Sequence, residues 1–207
     1  MLHMDVRSHW DSIYAHNEAN QVSWYSPRLS TSLELIRRAN SSPTAAIIDV
    51  GGGESTLVDD LLAAAYTDLT VLDISQAAID ASKRRLGSVA PRVHWLTADI
   101  TGIDLEPAAY DIWHDRALFH FLIEEPRRAA YIRQVERALR PGGHVIVAAF
   151  GLEGPARCSG LDVVRYDARQ LHGAFGPRFR LLDSVAELHH TPFGTVQQFL
   201  YCHCVVE

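Results

Sequence analysis

The 207-residue sequence has no apolar run that approaches the ~20 residues of a membrane-spanning helix, so no membrane partner is expected. Positive charge is not in excess. There are 19 Lys and Arg against 25 Asp and Glu, for a net charge of −6, and the cations gather into no long run. Nucleic acid is therefore not expected as a partner. Cysteine is scarce. Three residues, an odd number without metal-finger spacing, argue against a disulfide framework and for a reduced, cytoplasmic setting. The opening residues MLHMDVRSHW lack the basic-then-apolar order of a secretion signal, so no cleaved leader is expected. Repeats and low-complexity tracts are also lacking. The chain is 47% hydrophobic, enough for one domain with a full core over residues 1–207.

Residues 5–15 predict a short polar helix. SPRLSTSLELIRRAN predicts a second helix, with Ser26 as N-cap and Pro27 at the first helical position. AAIIDV is a short, almost wholly apolar run of the kind buried on both faces of a parallel sheet. GGGEST and the helical LVDDLLAAAY follow it. LTVLDI predicts the second strand, and Ser75 and Gly87 bound the helix after it. RVHWLTADI, YDIWHD and HVIVAAF predict the third, fourth and fifth strands. EEPRRAAYIRQVERAL is an amphipathic helix closed by RPGG. Strand and helix thus alternate over residues 45–150, which marks a parallel sheet with helices on both faces. GLEGPARCSGLDVVRY predicts a loop. FRLLDSVAELHH and TVQQFLYCHCVV then predict two strands joined through TPFG, a link short enough to permit only an antiparallel pair.

Ligands of open parallel sheets sit beyond the carboxyl ends of the strands. Each of the first four strands carries an acid near that end: Asp49, Asp73, Asp99 and Asp115. Gly51, Gly52 and Gly53 permit a sharp turn and close approach to a ligand. Asp73 lies about 20 residues further on, where a carboxylate can accept both hydroxyls of a ribose. This pattern suits a nicotinamide dinucleotide or a sulfonium nucleoside. Two residues favour the second. Thr56 stands where the dinucleotide fingerprint wants glycine, and Glu54 would set a negative charge against a pyrophosphate but beside a methionyl ammonium.

IIDVGGGES, LTVLDIS, VHWLTADI, YDIWHDRALFHFL and LRPGGHVIVAAF resemble, in order and spacing, the successive motifs of class I S-adenosylmethionine-dependent methyltransferases. The resemblance implies a Rossmann-like α/β fold, a seven-stranded mostly parallel sheet of order 3-2-1-4-5-7-6 with strand seven antiparallel. It divides the domain into an N-terminal helical lid (1–44), a cofactor-binding core (45–150), and a substrate loop with C-terminal hairpin (151–207). It further implies that S-adenosyl-L-methionine lies with its methionyl part on Asp49, Gly51, Gly52 and Gly53. Its ribose falls on Asp73 with Ile74, and its adenine on Asp99 with Ile100. Trp24 of the lid and His114 border it. Ser55 stands at the usual third glycine of the loop. HWDSIY…VSWYS, the W-H-D-R turn and CSGLDVVRY resemble the thiopurine and thiol methyltransferase group. An Asp-Lys/Arg-small turn also occurs in lysine methyltransferases that act on translation factors, so the turn does not separate the two.

His114, Asp115 and Arg116 leave strand four where the methyl group should sit, and are the candidate catalytic residues. His114 is the candidate base, since imidazole titrates near neutral pH; Asp115 and Arg116 are expected to pair and hold the turn. His120 is expected on the next helical turn, facing pocket or core. No metal site is expected: His114, Asp115 and His120 would need His144, which should lie at the opposite sheet edge. Trp10, Tyr14, Trp24 and Tyr25 form either a lid over the cofactor or a staple of the N-terminal helices. Cys202 and Cys204 share one strand face and should be buried. Arg157 and Arg165 lie in the same loop as Cys158 and are candidates to hold an anionic substrate, and His189 and His190 are expected in solvent at the hairpin. The expected acceptor is a small soft nucleophile, a thiol or related heteroatom compound, with a protein lysine as the alternative. The oligomeric state is expected to be monomer or homodimer.

Overall fold

A computed structural model describes residues 5–207. Strands β1 (Ala46–Val50), β2 (Asp68–Asp73), β3 (Val93–Thr97), β4 (Tyr110–Arg116), β5 (Leu139–Phe150), β8 (Phe179–His190) and β9 (Val196–Val206) form one sheet of order β3-β2-β1-β4-β5-β9-β8. β1 through β5 run parallel, and β9 is antiparallel to both β5 and β8. β8 and β9 are the sixth and seventh strands of the expected order. Between β5 and them lies a short hairpin not foreseen in the sequence, β6 (Arg157–Cys158) and β7 (Leu161–Asp162).

All five residues of β1 are buried, as a strand covered on both faces requires. One apolar cluster holds Ile48, Trp113, Tyr131 and Val147 on one side of the sheet, and another holds Ile47, Ile112, Ile146 and Ile36 on the other. Fully burying one such aliphatic or aromatic side chain contributes about 1.5–3 kcal/mol. The helices α1 (Val6–His16), α2 (Ser30–Ala39), α3 (Leu57–Ala63), α4 (Gln76–Leu86), α5 (Glu125–Ala138) and α6 (Ala168–Phe175) complete the layers.

Local chemistry sets most boundaries. The Ser75 hydroxyl accepts from the Ala78 amide at the start of α4, and Gly87 ends that helix at φ +56°. α2 begins at Ser30, four residues after the expected Ser26 cap. The Ser26 hydroxyl donates to the Arg28 carbonyl, and its own carbonyl accepts from Thr56, so residues 26–29 are tied to the glycine loop instead of entering the helix. The RPGG segment is part of β5, whose pairing with β4 shifts register between Tyr110 and Ile112. None of the described helices is long and apolar enough to cross a membrane.

Candidate active site

β1 is flanked by β2 on one side and β4 on the other, so the direction of winding reverses there and a crevice opens at the strands' carboxyl ends. A cavity of about 600 Å³ fills it, within the usual size of ligand sites. Trp24, Gly51, Asp73, Ile74, Asp99, Ile100 and Arg116 line it, so the topology brings together most of the expected site. Trp10, Tyr14 and Trp24 wall it from the N-terminal side. Their rings pack edge-on or tilted at 5.9–6.3 Å, and Phe121 meets Trp10 at 5.1 Å. The β6–β7 hairpin contributes Arg157, Cys158, Leu161 and Asp162.

Asp73 is 5% exposed. Burial pushes its carboxyl up to about 7 against the Ser75 amide bond that favours the charge, with Asp49 and Asp11 raising it further. Gly51 turns at φ +71°, and a Cβ there would stand 2.7 Å from Cδ1 of Leu118. A side chain at Gly51 would therefore press on Leu118, which lines the same cavity. Asp49 and Gly52 line a small adjoining pocket with Glu54, and Gly53 lines neither; its carbonyl accepts from Ser82. Asp99 faces the cavity with its carboxyl already engaged. Arg127 donates to one oxygen at 2.8 Å, and the amide and hydroxyl of Thr101 donate to the other.

The W-H-D-R turn differs most from expectation. His114 is 1% exposed and lines neither pocket. Its Nδ1 is 2.7 Å from Asp49 and its Nε2 is 2.9 Å from the Ser32 hydroxyl. A carboxylate only accepts, so Nδ1 donates to Asp49. The ring does not present itself to a transfer space. Asp115 and Arg116 do not pair: they lie on opposite faces, as alternation along β4 demands. Asp115 accepts from Tyr131 at 2.6 Å and from the amides of Leu118 and Phe119. Burial raises it to about 6. Arg116 donates to Tyr201, the Trp24 carbonyl and Glu187.

Other expectations resolve similarly. His120 sits on a 3₁₀ turn, faces the core, and is pushed down to about 3 by burial. His144 bonds His203 at 2.9 Å. Among the described residues no three His, Cys, Asp or Glu are grouped to hold a metal ion. His189 is not in solvent; it is buried in β8 and bonds the Ser23 carbonyl, while His190 is exposed. Cys202 and Cys204 are buried in one cluster, and Cys158 is buried at the cavity wall; all three are free thiols. Arg165 is spent on the carbonyls of Leu152 and Gly154, away from the cavity. Two contributors carried no local signal. Asp11 of α1 accepts from the Ser75 hydroxyl at 2.7 Å, which pins α1 to the start of α4. Arg127 reaches Asp99 only because α5 crosses beside β3's exit.

Residues 47–143 match the protein family described as "Methyltransferase domain". The chain is 26% identical over 140 residues to the eEF1A lysine and N-terminal methyltransferase of Mus musculus, covering 67% of this chain and 19% of that protein. It is 26% identical over 136 residues to the human N-terminal Xaa-Pro-Lys N-methyltransferase 1, covering 61% of this chain and 60% of that one. The chain thus spans about a fifth of the first relative's length. Among solved structures it resembles Burkholderia thailandensis 1,6-didemethyltoxoflavin-N1-methyltransferase with bound S-adenosylhomocysteine. There the TM-score is 0.68 at 18% identity, covering 97% of this chain and 86% of that one. It also resembles a structure described as "Conversion of a Disulfide Bond into a Thioacetal Group during Echinomycin Biosynthesis", with TM-score 0.78 at 17% identity, covering 98% and 92%. The strand order and the reversed β9 agree with the fold of these solved structures, and residues 47–143 carry the match to a methyltransferase domain.

Proposed function

We propose that the protein methylates a small soft nucleophile, a thiol or related heteroatom compound. The observation that carries this reading is the cavity itself, about 600 Å³ and walled by Trp10, Tyr14, Trp24 and Phe121 with a hairpin across it. Apolar walls strip water from a soft nucleophile and shield a sulfonium by cation–π contact. When bound, S-adenosylmethionine supplies an electrophilic methyl group; the rest falls to the chain's own residues. Asp73, buried and lining the cavity, fits a ribose diol, which supplies two donors to a carboxyl pushed up by burial. Asp99 and Ile100 would border the adenine, the Gly51–Gly53 loop the methionyl part, and Trp24 the sulfonium. Arg116 is the member of the W-H-D-R turn within reach of reactants; His114 and Asp115 are positioning residues behind it.

The test is methyl transfer to a panel of thiols, selenium and tellurium oxyanions, amines and carboxylates. Absence of product from every thiol and chalcogen retires the reading. The second reading, a protein lysine or N-terminal amine as acceptor, is favoured by the sequence similarity to two protein methyltransferases. Radiolabel from S-adenosylmethionine appearing in lysate protein, and not in the small-molecule panel, selects it. A monomer or homodimer and a cytoplasmic setting are proposed with either reading.

A further inference from the structure

Arg116 is a buried cation whose one counter-ion among the described residues, Glu187, is held only at 3.5 Å. Its side chain is 6% exposed, and it lines both the main cavity and the small pocket beside the glycine loop. Its near partners are neutral oxygens, the Trp24 carbonyl at 3.0 Å and the Tyr201 hydroxyl at 3.1 Å. The nearest carboxylate, Glu187, stands at 3.5 Å. The other two arginines at the cavity are neutralised at closer range: Arg127 meets Asp99 at 2.8 Å, and Arg157 meets Asp162 at 3.1 Å. A guanidinium has five N–H donors. Three of Arg116's have partners among the described residues.

The guanidinium is also held in orientation. It lies over the Phe199 ring at 4.2 Å. Tyr201, which accepts from its Nε, meets the Ser32 hydroxyl at 3.3 Å; Ser32 meets His114, and His114 meets Asp49. This buried chain of hydrogen bonds runs from Asp49 of β1 to Arg116 and holds the guanidinium in place. A buried charge whose counter-ion is only loosely engaged is incompletely compensated, and a preset cation of this kind gains by binding a further anion. We infer that Arg116 is a binding site for an anionic group, a carboxylate or thiolate, at the junction of the two pockets. Two sources can supply it: the amino-acid carboxylate of the cofactor, or an anionic acceptor. The inference rests on the methyltransferase reading for both.

Calorimetric titrations of the wild type and Arg116→Met test it, with melting curves to verify folding. The probes are S-adenosylhomocysteine, 5′-methylthioadenosine, which lacks the carboxylate, and 4-mercaptobenzoate added to the S-adenosylhomocysteine complex. If the cofactor is the source, Arg116→Met weakens S-adenosylhomocysteine roughly 10- to 100-fold, the value of a hydrogen bond to a charged group, and leaves 5′-methylthioadenosine unchanged. If the acceptor is the source, S-adenosylhomocysteine is unchanged and 4-mercaptobenzoate weakens by that factor. Glu187→Gln, a partly exposed position, removes the competing carboxylate and should tighten the same probe roughly two- to fivefold. Both probes staying within twofold of wild type in folded Arg116→Met overturns the assignment; should that variant fail to fold, an unchanged Glu187→Gln overturns it. A wild type that binds no S-adenosylhomocysteine retires the methyltransferase reading itself, and the Arg116 assignment with it.

Discussion

The Tyr131 hydroxyl of α5 lies 2.6 Å from Oδ2 of Asp115 at the end of β4, and neither side chain is open to solvent. Trp113 in turn donates its indole N–H to the Tyr131 oxygen at 2.8 Å. Asp115 also accepts from the Leu118 amide, so one carboxyl fastens both the helix and the turn that carries Leu118 into the cavity wall. Asp115→Ala leaves those donors unpaired in the core and should cost about 2–4 kcal/mol, by urea denaturation. Tyr131→Phe removes one member and should cost about half as much. An Asp115→Ala protein as stable as wild type would show that the turn is held elsewhere.

Asp73 lowers the stability of the fold near neutral pH. Its carboxyl is raised by burial to about 7, against about 3.9 in an unfolded chain. Between those values the folded state holds a proton that the unfolded state has lost, so this group lowers stability as pH rises from about 4 to about 7. Asp73→Asn should match wild type near pH 4 and become the more stable of the two towards pH 7, by on the order of a few kcal/mol. The same variant should bind S-adenosylhomocysteine at least about tenfold more weakly. A stability difference that does not change over that pH window would place the proton on another group.

Gly51 is constrained twice. Its φ of +71° disfavours any Cβ, and an added Cβ would meet Leu118 at 2.7 and 2.8 Å. Gly51→Val should abolish cofactor binding while the chain still folds. Gly51→Ala should lose about 1–2 kcal/mol from the left-handed backbone, besides the clash. Adding Leu118→Ala should relieve the clash but not the backbone penalty. Normal titration of S-adenosylhomocysteine by Gly51→Val would mean that the cofactor does not pass over this loop.

His114 has both ring nitrogens bonded within the protein. His114→Gln should destabilise the fold by about 1–3 kcal/mol, since Asp49 and Ser32 lose partners. The shape of the turnover profile from pH 6 to 9 should survive. A ~10²-fold fall in turnover together with loss of the neutral-pH limb would restore the base assignment.

The elements that position the site were readable because their signals are local. AAIIDV has the composition of a strand buried on both faces, Ser75 and Gly87 punctuate α4, and TPFG is too short for a crossover. The spacing of Gly51 and Asp73 brought both to one cavity. What could not be read depends on partners far along the chain. His114 is sealed by Ser32, 82 residues away, and Arg116 is held by Tyr201, 85 residues away. The sequence places His114, Asp115 and Arg116 side by side, but the pleat sends Asp115 to one face and the other two to the opposite face, so their adjacency predicts no contact. Ser26 and Pro27 have the composition of a helix start, yet the Thr56 bond to the Ser26 carbonyl holds them outside it. The small hairpin at Arg157–Asp162 is only two residues long on each side, too short for an alternating pattern to register.

The buried thiols turn the chain into its own opening gauge. Burial raises Cys202 to about 11 and Cys204 to about 12, so near neutral pH little thiolate forms and no reagent reaches either sulfur in the closed molecule. Alkylation at those two positions on β9 therefore counts the molecules whose sheet has parted, without a label being introduced. Cys158 answers a different question. It lies at the cavity wall on the β6–β7 hairpin, so its alkylation clocks the hairpin's excursions, and a molecule seated beneath it would slow that clock while leaving the other two unaffected.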